Sequence, residues 1–406
     1  MIGIYTGEGA SHSWTWFVEI LEKNGYSNMI FLDAEQVRQG QLKNVNTFIL
    51  GGGDAFAIAG GLGEKGAAVI KEFIVSGGTY LGSCAGAYLL MDMDEFPLNL
   101  FSITDARVLN IVHELPECKL LPEKLFTAYG DRFVLHPVRE TVKILVKEVP
   151  PISTSGHLMA PLYGGPPIRL SGQAEEIASY ADFVSETLYL TEETLARKMM
   201  LGKVAAFRQV VGRGWVYLFG PHVEHPSYPE ANKLVIRAIN CSSGTEIKQP
   251  FSGENLVVLR MTDGLIREIK GRLSDARLVA YGLELLPITW KIGHKIYEPG
   301  KIRVFLEFIW RRYQLLEQGI CEQDYSKLVF VKELIAEIVN LLRQIKRKTD
   351  AGYCTLDYAE RLFPILKKMS TTFLGIYFRV KEENPQWENI SRQNYRVLES
   401  GWEVKK

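Results

Sequence analysis

Through the first 90 residues, short apolar runs alternate with stretches in which apolar residues recur every three or four positions. The runs MIGIYTG, NMIFLD, NTFILGGG and TYLGS have the length and apolar content of strands. Between them, residues 14–24 set Trp14, Phe17, Val18, Ile20 and Leu21 broadly on one helical face, and residues 64–76 repeat the helical pattern. Strand, helix, strand, helix predicts an α/β fold, a parallel sheet with helices on both faces. Ligands of such sheets gather at the carboxyl ends of the strands. Here those ends fall at residues 6–11, 33, 51–54 and 83–86, all rich in glycine and small polar residues.

The pattern loosens between residues 92 and 200, where proline-rich turns (VPPIST, YGGPPIRL) separate short strands such as VKILVKEV. It tightens again at KVAAFRQVVGRGWVYLFG, which predicts a hairpin around residues 212–214 running into PHVEHP. From Cys241 the texture changes: CSSGTEIKQPFSGEN is polar and turn-rich and reads as a linker over 241–255. Beyond it, helical spacing predicts helices over 256–273, 301–318, 326–347 and 355–380. The expected organisation is an α/β domain over 1–240, the linker, and an α-helical domain over 256–406. The connection YGLELLPITWKIGHKIYEPGK, aromatic and basic, is expected to pack between helices.

Composition narrows the class without naming a partner. Lysine plus arginine and aspartate plus glutamate both number 47, so bulk charge argues for neither nucleic acid nor an acidic partner. Five scattered cysteines without metal-type spacing read as reduced thiols of a cytoplasmic protein, and neither a signal peptide nor a membrane span is expected. The histidines show no ligand spacing either, so no metal or other cofactor is expected.

The chemistry concentrates in three words. Gly82-Ser83-Cys84-Ala85-Gly86 has the G-x-nucleophile-x-G form, at a point where an apolar strand meets a helix. Taken alone it fits a packed small-residue corner as well as a displayed thiolate with the Ala85 N–H beside it. Upstream, Gly51-Gly52-Gly53 can lay backbone N–H groups next to such an elbow. Downstream, His222-Val223-Glu224 follows a strand, and in an extended segment residues two apart face the same side. Cys84 as nucleophile, His222 as base and Glu224 as orienting group would then form a triad.

Gly-Gly-Gly, G-x-C-x-G and His-x-Glu, in that order, resemble the class I glutamine amidotransferase-like superfamily, whose flavodoxin-like fold the resemblance implies. The words FILGGGDAFA, SGGTYLGSCAGAYLL, Tyr163-Gly164-Gly165 and VGRGWVYLFGPHVEH are most similar to the domain at the N-terminus of biotin–protein ligases, over roughly residues 1–240. The resemblance implies Cys84, His222 and Glu224 as the catalytic residues, with Gly52, Gly53 and Ala85 near the oxyanion. It implies a small amide or acyl substrate attacked through a thioester, and, if ammonia is passed on, a separate synthetase to use it. Two departures stand out: no glutamine-holding motif matches, and residues 110–137 do not follow the family's pattern. No glycine/arginine-rich adenylate loop is present in the C-terminal half, so a biotin ligase is not expected. The rival reading is a non-catalytic small-ligand-binding or regulatory module that keeps the same pocket, with the helical domain as a partner or homo-oligomer surface.

Overall fold

A computed structural model describes residues 1–109, 137–150, 155–242, 263–293, 295–316 and 324–383. The segment that departs from the family's pattern lies outside the described residues from 110 to 136, as does the expected linker from 243 onward. Contacts divide the chain into two units: Met1–Glu246 with Gly293–Lys295, and the remainder.

The first unit opens with β1 (Ile2–Tyr5), α1 (Trp14–Lys23), β2 (Met29–Leu32), α2 (Ala34–Arg38), β3 (Thr47–Leu50), α3 (Ala55–Val75), β4 (Thr79–Ser83) and α4 (Ala85–Leu90). It continues through β5 (Ala106–Val108), β6 (Val138–Val146), β7 (Gly156–Leu162), β8 (Ile168–Leu170), β9 (Glu175–Phe183), β10 (Leu188–Tyr189) and α5 (Glu193–Met200). The hairpin β11 (Val204–Val211) and β12 (Gly214–Phe219) follows, and then α6 (Pro229–Ser242).

Five strands run parallel in the order β2-β1-β3-β4-β12. That is the flavodoxin-like strand order, with β12 in the fifth place. Every residue of β1, β3 and β4 is buried, as continuous apolar runs demand when both faces of a sheet are covered. Helix α1 supplies part of that cover: Phe17, Val18 and Leu21 are fully buried, each worth about 1.5–3 kcal/mol relative to exposure.

The loosely patterned stretch is where the sheet turns antiparallel. Strand β11 pairs antiparallel with β12, β9 with β11, and β6 with β9, while β7 and β10 both pair with β6. Alternating burial along β6 reflects one solvent-facing side.

Helix α3 begins earlier than residues 64–76. Asp54 caps it, its Oδ1 accepting from the Phe56 and Ala57 N–H groups at 3.1 Å each. The glycines at 60, 61 and 63 disguise the first turns as loop, and Gly63, at φ 58°, kinks the helix there.

The second unit holds α7 (Asp263–Glu284), β13 (Trp290–Ile292), all of its hairpin partner β14 (Lys295–Tyr297) except Lys295, which belongs to the first unit, and α8 (Pro299–Leu316), α9 (Tyr325–Asp350) and α10 (Leu356–Glu383). Along α9 the buried positions Leu328, Val331, Leu334, Ile335, Ile338, Leu341, Leu342 and Ile345 form one stripe. Arg277 of α7 makes a two-pronged ion pair with Glu307 of α8, at 2.7 and 3.0 Å. The connection expected to pack between helices does so locally: Trp290 Nε1 donates to Thr355 Oγ1 at 2.9 Å, and Tyr297 packs on Phe363 with ring centroids 4.3 Å apart. Among the described residues, no helix is long and apolar enough to cross a membrane.

Candidate active site

Register brings the site together. Phe219 of β12 lies opposite Ser83 of β4, so Cys84 and the turn that begins at Gly220 leave the sheet side by side. The Cys84 N–H donates to the Phe219 carbonyl at 2.9 Å, and the Gly86 N–H donates to the Gly51 carbonyl at 3.1 Å. The elbow is therefore fastened to a strand end on each flank.

Both elbow glycines are required by close approach. A Cβ on Gly82 would stand 2.4 Å from the Gly86 carbonyl oxygen, and one on Gly86 would stand 1.9 Å from the Leu50 carbonyl oxygen. Cys84 itself sits at φ 50°, ψ −110°, a strained conformation for a residue with a side chain. Such strain at a strand-to-helix turn is what projects a nucleophile clear of its neighbours.

Cys84, His222 and Glu224 are 9%, 4% and 0% exposed, and they stand together in one buried line. Cys84 and His222 are neighbours, each close enough to shift the titration of the other. His222 Nδ1 lies 2.7 Å from Glu224 Oε1, and that oxygen also accepts from Ser83 Oγ at 2.8 Å. The segment that holds them is not the extended one expected from sequence. Residues 221–225 form a tight turn, with the His225 N–H donating to the His222 carbonyl at 3.0 Å. Asn232 of α6 secures the turn, its Nδ2 donating to the Val223 and His225 carbonyls at 2.7 and 3.0 Å. The His222 N–H donates to the Pro161 carbonyl at the end of β7, 2.8 Å away.

The electrostatics of the line follow from its burial. Burial pushes the Cys84 thiol up, but the positive His222 ring, with a smaller pull from Lys295, holds it below the usual thiol value. Burial pulls His222 down, yet the Glu224 carboxylate and then the Cys84 sulfur raise it to about 10. Each charge stabilises the other, as in a thiolate–imidazolium pair.

The glycine loop stands against the same ring. A Cβ on Gly52 would lie 2.5 Å from His222 Cε1, so only a glycine lets the backbone approach so near. The Gly52 carbonyl accepts from the Ser11 N–H at 3.0 Å, Ser11 Oγ at 2.8 Å and Ser13 Oγ at 3.2 Å. In a trans peptide the C=O and N–H point in opposite directions, so these bonds turn the Gly53 N–H away from the two serines. Ala85, the first residue of α4, directly follows the sulfur-bearing residue.

Sequence reasoning named the three residues of the line and the glycine loop. It missed Ser83, Ser11 and Ser13, which fix that line and that loop, and it missed the rings around His222. Trp16 and Tyr163 both lie with ring centroids 5.4 Å from His222. Ser83 stood inside the elbow motif itself, but a serine in an x position carries no signal of its own. Among the described residues, no cluster of three or more His, Cys, Asp or Glu is arranged to hold a metal ion.

A parallel sheet in the 2-1-3-4-5 order, with a cysteine elbow after its fourth strand, defines a class I glutamine amidotransferase-like domain. The model of the family described as "Biotin-protein ligase, N terminal" matches residues 2–243, and the chain belongs to that family. No curated protein matches it in sequence. Among solved structures it is similar to a protein of Thermoplasma acidophilum provisionally described as one of the subunits of a GMP synthase. That likeness has 14% identity, covers 60% of this chain and 95% of that one, and has a TM-score of 0.37. A protein of Bacteroides uniformis provisionally described as ThuA-like is similar at 12% identity, over 61% of this chain and 92% of that one, with a TM-score of 0.37.

Proposed function

We propose that the chain is a cysteine-dependent hydrolase of the amidotransferase-like kind, acting on an amide or related acyl compound. The observation that carries this reading is the buried line of Cys84, His222 and Glu224, with His222 hydrogen-bonded to Glu224 and Cys84 held at positive φ. A structural cysteine in an apolar corner would have its thiol raised by burial, whereas this one is lowered by a charged partner.

In this reading the Cys84 thiolate attacks the carbonyl carbon, and the negative charge moves to the carbonyl oxygen. The N–H groups of Ala85 and Gly53, on a loop closed by Gly52, receive that oxygen. The C–N bond then breaks, the His222 imidazolium gives its proton to the departing amine, and a thioester remains. Water, losing a proton to His222, attacks the thioester to release the acid and restore the thiol pair. Glu224 holds the Nδ1 side of the ring throughout and stabilises its positive form. Where the amine is ammonia destined for synthesis, a separate synthetase takes it up.

The test is a panel of amides that includes glutamine, run with the wild type and with Cys84→Ala. Turnover is expected to fall at least about 10³-fold in the variant. Hydrolysis that persists in Cys84→Ala would overturn the assignment.

A further inference from the structure

The surroundings of His222 contain more than the triad uses. Its ring is almost wholly buried, yet two of its neighbours, Trp16 and Tyr163, are only half-buried. Trp16, on α1, meets His222 at an interplanar angle of 87°, and Tyr163, just past the end of β7, meets it at 51°. The two rings also contact each other, with centroids 6.3 Å apart, and Trp16 further contacts His225 at 4.4 Å and His12 at 4.9 Å. Glu224 on Nδ1 and the Gly52 backbone against Cε1 add to these contacts of the imidazole.

We propose that Trp16 and Tyr163 are positioning residues that cradle the His222 ring and favour its protonated form opposite the Cys84 thiolate. The proposal rests on the ion-pair reading above and adds to it two residues outside the triad. Two effects favour the charged pair and work against the cost of burial described above. An aromatic π-face within about 6 Å attracts a cation, and an imidazolium is one. Rings that exclude water also leave the attraction between thiolate and imidazolium less screened. The charged and titratable groups around this pair include Glu224, His12, His225, Lys295 and Tyr180, together with Glu140, Arg139 and Tyr228 beside Tyr163. A change of ring at 16 or 163 removes none of them, although Trp16 itself packs on His12 and His225.

The test needs no substrate. The rate of Cys84 alkylation by iodoacetamide is followed against pH, with the labelled peptide identified by mass spectrometry, because the chain has five cysteines. Trp16→Leu, which fills space without a π-face, is expected to raise the midpoint of the alkylation profile by about 0.5–1.5 pH units. Trp16→Phe, which restores a ring, is expected to bring the midpoint back to within about 0.3 units of wild type. If Trp16→Leu does not fold, Tyr163→Leu against Tyr163→Phe asks the same question from the other ring. A midpoint unchanged in the leucine variant, with only the melting temperature lowered, would show that the rings merely pack and would overturn the proposal. His222→Ala separates the two levels: a midpoint unmoved by that change sinks the ion pair itself, whereas one that responds to His222→Ala but not to Trp16→Leu sinks only the cradle.

Discussion

His222 is buried and yet holds its proton to about pH 10, because Glu224 on one side and Cys84 on the other supply more than burial removes. The sign of the pH dependence follows directly. As pH falls through the lowered value of Cys84, the thiolate takes up a proton and the nucleophile is lost. As pH rises through about 10, the imidazolium loses the proton that the leaving amine must receive. Turnover is therefore expected to follow a bell-shaped profile with its basic limb near pH 10. Glu224→Gln removes a charge but keeps an oxygen to accept from Nδ1, so the basic limb is expected to move down by at least about one unit. A pH–rate profile of wild type and variant checks this, and a basic limb that stays in place would mean that Glu224 does not set the charge on His222. The histidine and carboxylate were legible in the sequence as His-x-Glu, but through the wrong geometry. They meet because a turn closes around Val223, pinned by Asn232, and not because an extended strand puts alternate residues on one side. No spacing rule points to Asn232, since it lies on a different element.

The elbow shows which parts of an element are written locally and which are not. G-x-C-x-G could be read because two glycines at that spacing meet a steric demand: backbone oxygens of Gly86 and Leu50 occupy the places their Cβ atoms would take. Gly86→Ala is the sharper case, since a methyl group 1.9 Å from the Leu50 oxygen forces β3 and α4 apart. The expected cost is about 3 kcal/mol or more, the upper end of overpacking penalties, and denaturant melts would measure it. A loss below about 1 kcal/mol would mean that the corner yields more easily than its contacts imply. The start of α3 was illegible for the complementary reason. Three glycines within its first turns lower local helix propensity, and the helix forms there because the Asp54 cap and the burial of Ile58, Ala59 and Leu62 outweigh them. The aromatic cradle was harder still. Trp16 and Tyr163 are well separated in sequence, and only the closure of the sheet brings their rings to one histidine.

At the scale of the whole chain, alternating strands and helices made the parallel half of the sheet legible, and the antiparallel hairpin over 204–219 was read as well, but the pairing of the strands between residues 138 and 189 was not. Partly exposed strands carry weaker patterns than buried ones: β6 alternates buried and exposed positions, while β3 and β4 are apolar throughout. The helical unit was read from period alone, and α8, α9 and α10 lie close to the positions expected. Each unit encloses a core of its own, with Phe48, Ile49 and Leu81 fully buried in the first and Ile338, Leu342 and Phe373 in the second. Leu342 of α9 is fully buried, so Leu342→Ala removes apolar contacts and leaves a cavity, at an expected cost of about 2–5 kcal/mol. Because that core contains no residue of the candidate site, the loss is expected in the melting of the helices and not in the chemistry of Cys84. Helical ellipticity followed against temperature should show a transition moved to lower temperature. The alkylation midpoint of Cys84 at about 25 °C should stay where it is in the wild type. If the thiol of Cys84 instead becomes freely reactive in step with that helical transition, the chain unfolds as one cooperative body and the division into two separately stabilised cores is wrong.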